Sequence, residues 1–324
     1  MVITDEFTCL KLKKVNSLTM SSQSSVYLID ASIYIFRAWF SVPDSMLGDD
    51  GSPVNAVYGF CRFLTEFVER TNAQYVAVAF DESLTKSFRN EIYPQYKMNR
   101  ELPPQDLAQQ FKFCRRLAEA AGLYCVSSDR YEADDLIATL SKSVSDQGLK
   151  NVIVSGDKDL AQLLTGDDIW WDFARDRQLG VDGVVEKFGV PPTAIQDYLG
   201  LCGDAVDNIP GVPGIGPKTA VGLLQAYNSI EGIYENLESI PSLKIRGAKS
   251  LPAKLEQHKE QALLSKQLAT VAYDAPIDTA IERLQRRSTE ISSLQEVGAI
   301  MAGRGDGLFN RLSNNSKKVL MGVA

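Results

Sequence analysis

With 324 residues, 44% of them hydrophobic, the chain can fill one large core or one core with a smaller companion domain, and no apolar run approaches the ~18 residues of a membrane span. One histidine (His258) and five cysteines (Cys9, Cys61, Cys114, Cys125, Cys202) without Cys-x-x-Cys spacing argue against zinc sites, histidine-based acid–base catalysis and a disulfide framework, and fit reduced thiols in a cytoplasmic protein. The net charge of −7 does not exclude nucleic acid: setting nine clustered carboxylates aside from the 41 acids leaves 32 against 34 bases.

Residues 1–23 carry charges of both signs and no secretory signal, so a disordered extension is expected there, with Met20 an alternative start. Strand-like runs follow at Val26–Asp30, Tyr75–Asp81, Leu123–Val126 and Asn151–Ser155. Between them lie helical patterns, as in Pro53–Arg70, where Val54, Val57, Tyr58, Cys61, Leu64 and Val68 keep helical spacing. Strand–helix alternation predicts an α/β fold centred on a parallel sheet over residues 24–180, with working residues beyond the carboxyl ends of its strands. Trp170-Trp171 reads as strand core. The stretch 83–122 has little strand character and mixes Lys86, Arg89, Lys97, Arg100, Lys112, Arg115 and Arg116 with Phe88, Tyr93 and Tyr96. An insertion of that length is expected to be functional, and basic–aromatic mixing suits a site that grips a nucleic-acid strand. Its plainer reading is a solvated basic face. Residues 181–285 read as all-helical, and 286–324 as a weakly structured tail.

Five acidic clusters punctuate this order: Asp30; Asp81; Glu132, Asp134 and Asp135; Asp157 and Asp159; Asp204 and Asp207. Any one of them could be a turn or a helix cap. Nine such carboxylates, after apolar strands or in glycine-bearing turns, instead suit hard divalent cations, which need oxygen ligands. Two cations about 4 Å apart generate a nucleophilic hydroxide and stabilise a leaving alkoxide, and clustered carboxylates offset their mutual repulsion. The last cluster runs into Gly211-Val212-Pro213-Gly214-Ile215-Gly216-Pro217-Lys218-Thr219. This is a tight turn that could place backbone N–H groups and a helix N-terminus against phosphate. A Walker phosphate loop is excluded, because its spacing does not occur.

Together these residues resemble the bacterial 5′-nuclease domain at the N-terminus of DNA polymerase I, within the flap endonuclease superfamily. The resemblance spans about Val26 to Tyr273 and is carried by Tyr93–Arg100, Tyr131–Asp135, Gly156–Asp159 and Gly203–Ala220, with family-like sequence also at Arg246–Lys249 and Gln261–Ser265. It implies a PIN-like 5′-nuclease core with a helical arch at 83–122, and a helix–hairpin–helix near 204–228. It assigns Asp30, Asp81, Glu132 and Asp134 to a first metal site, supported by Asp135, and Asp157, Asp159, Asp204 and Asp207 to a second. Lys97 and Arg100 become the catalytic pair that positions the scissile phosphate. DNA contacts fall to Tyr96, Arg89, Gly211, Gly214, Gly216, Lys218 and Thr219. Two or more Mg²⁺ ions are implied, with Mn²⁺ substituting and K⁺ at the hairpin. The implied partners are flapped, branched or nicked DNA and a separate polymerase and ligase, for a monomer without membrane attachment and in standalone form.

Three classes of function remain at this point: a structure-selective 5′ nuclease, acting as exonuclease and flap endonuclease; a catalytically silent branched-DNA binder; and a PIN-type ribonuclease. The complete carboxylate set favours cleavage over mere binding. The insertion and the hairpin favour branched DNA over single-stranded RNA.

Overall fold

Apolar runs bounded by aspartate or turn residues become the strands of one sheet: β1 (Ser25–Asp30), β2 (Tyr75–Asp81), β3 (Tyr124–Ser128), β4 (Lys150–Val154), β5 (Ile169–Asp172) and β6 (Arg177–Leu179). The computed structural model describes residues 25–83 and 86–321; the extension expected over 1–23 lies outside them. Strand order is β3-β2-β1-β4-β5-β6, parallel except for the β5–β6 pair. Ile29 of β1 stands beside Val78 of β2 on one flank and Val154 of β4 on the other. The chain thus winds outward from β1 to β3, then crosses back to β4. That reversal opens a crevice beyond the carboxyl ends of β1 and β4.

Successive β1 residues feed two cores. Val26 and Leu28 face α5 (Ala133–Asp146), whereas Ile29 faces the layer containing α1 (Ala31–Ser41), α2 (Asn55–Thr71) and α4 (Gln105–Ala120). Coverage of both faces explains why the strands read as continuous apolar runs. Trp170 and Trp171 are buried strand core, one in each layer. α3 (Phe88–Ile92) lies between β2 and α4. Beyond the sheet the chain is helical: α6 (Val181–Phe188), α7 (Ile195–Cys202), α8 (Pro217–Tyr227), α9 (Ile230–Glu235), α10 (Leu251–Gln257), α11 (Lys259–Ala269) and α12 (Ile281–Leu284).

Two sequence expectations are corrected. The supposed weak tail from residue 286 forms α13 (Ile291–Ile300) and α14 (Asp306–Leu320), with Leu294, Val297, Met301, Phe309 and Leu312 in the α2–α4 core. A Cβ on Gly298 would come within 2.8 Å of the Phe309 ring, so glycine lets the two helices meet. The supposed arch over 83–122 is also shorter than expected. Its second half is α4, a crossover helix that buries Leu107, Cys114, Leu117 and Ala118. Arg115 pairs with Glu82 and Glu119, and Arg116 with Glu296, all at the surface.

Candidate active site

Each acidic residue is placed by a strand end or a helix start. Asp30 ends β1 and caps α1, accepting from the Ser32 N–H at 3.1 Å. Asp81 ends β2 and accepts from the Ser83 hydroxyl at 2.8 Å. Glu132 and Asp135 form a capping box on α5, with Asp134 in its first turn. β4 delivers Ser155, whose hydroxyl donates to Asp30 Oδ2 at 2.9 Å and accepts from the Asp157 N–H at 3.0 Å. Asp157 Oδ1 in turn accepts from the Asp159 N–H at 2.9 Å. Asp204 and Ile209 exchange backbone hydrogen bonds, which closes the turn carrying Asp207. Ser32, Ser83 and Ser155 were not singled out in the sequence. Their only signal was position beside the acids they orient.

The structure brings the carboxylates of both expected sets within electrostatic reach of one another. Burial pushes Asp30 up to about 7, and the charges of Asp157 and Asp81 add to the rise. Asp134 is pushed well up by burial, then by Asp157 and Asp30. Asp81 is raised by burial and by Glu132. Asp159 rises to about 7 through burial and Asp157, with Asp207 and Asp204 contributing. Asp157, assigned to the second set, therefore stands against Asp30 and Asp134 of the first.

Basic side chains partly neutralise this ring. Lys158 pairs with Asp204 and lies 3.5 Å from Asp159 Oδ1. Burial alone would raise Asp204, but the hydrogen bond from Lys158 carries it below the usual carboxylate value. Lys97 Nζ sits 2.8 Å from Glu132 Oε1 and 3.7 Å from Asp207 Oδ2. Burial would lower its pKa, yet these two carboxylates hold it above the ordinary lysine value. Arg100 pairs with Asp207 and remains half-exposed. The expected catalytic pair thus stands on the carboxylate ring.

Three assigned roles change. Arg89 is 2% exposed and makes a bidentate pair with Asp135 at 2.8 Å for both bonds, so it is not a DNA contact. Asp135 spends its remaining capacity on the Glu132 and Ala272 N–H groups. With every oxygen engaged, it orients Glu132 and α5 and is not a metal ligand. Tyr96 is 3% exposed, its hydroxyl 3.0 Å from Glu132 Oε2 and 3.2 Å from Asp207 Oδ2. It can donate its one hydrogen to either carboxylate, and its buried ring has no face for a base.

The glycine turn is likewise divided. Gly211 is buried at φ +60°; its N–H donates to Ser265 Oγ and its carbonyl accepts from Gln261, so it fixes the turn to α11. Gly214 and Gly216 are exposed, and the N–H groups of Gly214, Gly216 and Lys218 have no acceptor among the described residues. Those three groups lie at the start of α8, where helix N–H groups lack intrahelical acceptors. Lys218 is exposed beside it and Thr219 partly so, with the Thr219 N–H bonded to the Gly216 carbonyl.

The donor set fits hard divalent cations: every donor is a carboxylate oxygen, and buried Asp159 Oδ1 has no hydrogen-bond partner. Among the described residues no three acidic, cysteine or histidine side chains are already drawn to ligating separation. Lys97 and Lys158 stand in the ring as counter-ions.

Two family descriptions cover most of the chain: the 5′-3′ exonuclease N-terminal resolvase-like domain matches residues 25–189, and the 5′-3′ exonuclease C-terminal SAM fold matches 190–292. DNA polymerase I of Pseudomonas aeruginosa is 43% identical over 264 residues, which cover 81% of this chain and 29% of that protein. The chain spans a third or less of the DNA polymerase I relatives of Pseudomonas aeruginosa, Rhizobium leguminosarum and Bacillus subtilis. The 5′-3′ exonuclease of Buchnera aphidicola subsp. Schizaphis graminum is 34% identical over 278 residues, covering 86% of this chain and 96% of that one. In fold, the chain is similar to T5 5′-exonuclease with bound zinc, at TM-score 0.62 and 18% identity, covering 93% of this chain and 100% of that one.

Proposed function

The chain belongs to the 5′-3′ exonuclease family, and we propose that within it the protein is a metal-dependent, structure-selective nuclease that removes 5′ ends and 5′ flaps from DNA, RNA primers included. The observation that carries this reading is the carboxylate ring at the sheet's switch point, with Lys97 and Arg100 on its rim and a glycine turn with N–H groups left without acceptors on the same chain segment as Asp204 and Asp207.

Asp30, Asp81, Glu132, Asp134, Asp157, Asp159, Asp204 and Asp207 would hold two or more Mg²⁺ ions, with Mn²⁺ able to substitute. Bound there, the cations supply a hydroxide at neutral pH and stabilise the leaving oxygen. Lys97 and Arg100 bind the non-bridging oxygens of the scissile phosphate and orient it. Arg89 and Asp135 hold α5 so that Glu132 and Asp134 keep their aim. The N–H groups of Gly214, Gly216 and Lys218, within a helix–hairpin–helix of α7, the turn and α8, would hold duplex phosphates, and K⁺ would be bound at the hairpin. The natural substrates are nicked, branched and flapped DNA, shared with a polymerase and a ligase, for a monomer in the cytoplasm; no helix among the described residues is long and apolar enough to cross a membrane.

The deciding experiment is cleavage of 5′-labelled single-flap, double-flap, nicked and single-stranded DNA, and of single-stranded RNA, with Mg²⁺ and with chelator. Metal-dependent release from flapped and nicked DNA is expected. Binding without cleavage would leave a silent branched-DNA binder, and preference for single-stranded RNA a ribonuclease.

Two further outcomes follow from the geometry. Gly216 has φ −98° and ψ 179°, and a Cβ there meets nothing within 4 Å, so Gly216→Val should fold. It should nonetheless weaken binding to duplex-bearing flaps by about tenfold, whatever the sequence, and spare a short single strand, because valine blocks approach to the N–H groups. Normal flap binding by the folded variant would make the turn a structural corner.

The raised carboxylates set the pH response. Asp30 and Asp159 titrate near 7 when folded, against about 4 unfolded. Their contribution to stability is therefore complete below about pH 4 and is lost as pH rises through about 7. Cations displace those same protons, so Mg²⁺ should raise the melting temperature more at pH 8 than at pH 6. An equal shift at both values would contradict the assignment.

A further inference from the structure

We infer that Tyr96 is a positioning residue for the cation site: its hydroxyl ties Glu132 to Asp207 and keeps the two carboxylates in register for cations. This rests on the nuclease reading and assigns a role within the same site. Glu132 caps α5, which packs on the sheet, whereas Asp207 comes from the helical region beyond it, between α7 and α8. The two therefore reach the ring from separate parts of the chain and need a tie.

Two side chains touch both carboxylates. Lys97 Nζ lies 2.8 Å from Glu132 Oε1 and 3.7 Å from Asp207 Oδ2. The Tyr96 hydroxyl lies 3.0 Å from Glu132 Oε2 and 3.2 Å from Asp207 Oδ2. The ammonium is a charge, so a cation bound by Glu132 and Asp207 competes with it. The phenol is neutral and has one hydrogen to donate, so it can stay in place when cations bind. Its anchorage does not depend on the ring. The Tyr96 carbonyl accepts from Asn90 Nδ2 at 2.8 Å, and its N–H donates to the Tyr93 carbonyl at 2.9 Å. Its aromatic ring is buried in the core that holds Ala133, Leu136 and Ile137 of α5. Glu132 Oε2 is thus turned toward the protein, against this hydroxyl and Arg89 Nη1 at 3.5 Å, and Oε1 is the oxygen left to exchange Lys97 for a cation. A hydroxyl fixed by packing and aimed at two ligands orients them as outer-shell hydrogen bonds do in metal sites.

The test is calorimetric titration of Mn²⁺ into metal-free wild type and Tyr96→Phe, beside flap affinity in chelator and single-turnover cleavage over a range of Mg²⁺ concentrations. Phenylalanine deletes the hydroxyl and keeps the buried ring, and a thermal melt in chelator confirms the fold. Tyr96→Phe should weaken Mn²⁺ binding by about 10- to 100-fold. The Mg²⁺ dependence of cleavage should move to higher concentration by a similar factor, with the rate approaching wild type at saturation. Flap affinity in chelator should be unchanged. Wild-type cation affinity and Mg²⁺ dependence in the folded variant would overturn this role, make Tyr96 a packing residue, and leave the nuclease reading standing. A rate loss that saturating Mg²⁺ does not restore would also overturn it, by placing the hydroxyl on the reacting phosphate. Wild-type protein that takes up no divalent cation and cleaves no flap would overturn both.

Discussion

Asp134→Asn should abolish cleavage and at the same time raise the melting temperature of the metal-free protein. Its carboxylate lies within a ring of like charge, pushed well above the ordinary range by burial and then by Asp157 and Asp30. Asparagine keeps the shape and removes the repulsion, so each kcal/mol relieved should add about 2–4 °C to the melting temperature. The same change removes an anionic ligand at the place where the attacking and leaving oxygens must be stabilised. Single-turnover cleavage should fall by at least about 10³-fold. Flap affinity in chelator should change little, because Lys97, Arg100 and the glycine turn are untouched. Opposite movements of stability and activity mark a residue placed for function at a cost to the fold. A destabilised variant, or one that cleaves at near-normal rate, would show that Asp134 serves only as a first-turn acid of α5.

The parts of this site that sequence made legible are those where one local pattern coincided with one structural position. Asp30 and Asp81 could be placed because each closes an apolar run, and a parallel sheet presents such ends along one edge. What it left hidden depended on partners far along the chain. Arg89 looked like one basic residue in an exposed mixed face, yet it is sealed between Asp135 and the carbonyls of Leu268 and Thr270. A clue existed in α5: Asp135 precedes Leu136, Ile137 and Leu140 on the buried side, and a charge placed there requires a buried cation. Tyr96 was misplaced for the same reason, since burial of a tyrosine between two carboxylates is set by tertiary packing. α13 and α14 escaped notice because their apolar positions are few and interrupted by Gly298, Gly303 and Gly305. They are held by docking on α2 and α4. The division into two metal sets came from the resemblance; Asp157 raises Asp30 and Asp134 across that division.

Lys97→Met should reduce single-turnover cleavage by about 10²–10³-fold while changing flap affinity less than about threefold. Lys97 is a non-glycine residue at φ +54°, with its N–H donating to the Asp207 carbonyl at 3.0 Å. That backbone turn aims the ammonium at Glu132 and Asp207, on the rim of the carboxylate ring. Methionine has nearly the same length and the same backbone preference, so the variant isolates the charge. Two roles compete for it. As a mere counter-ion, Lys97 would matter only until cations neutralise Glu132 and Asp207, and saturating Mg²⁺ would restore the rate. As a phosphate ligand, it acts on charge that grows on the non-bridging oxygens during cleavage, and no excess of Mg²⁺ would rescue it. Arg100→Met gives the scale: Arg100 is half-exposed and meets Asp207 from the solvent side, so its removal should cost less. Rescue of Lys97→Met at high Mg²⁺ would reassign the lysine to holding the ring together, leaving phosphate orientation to Arg100.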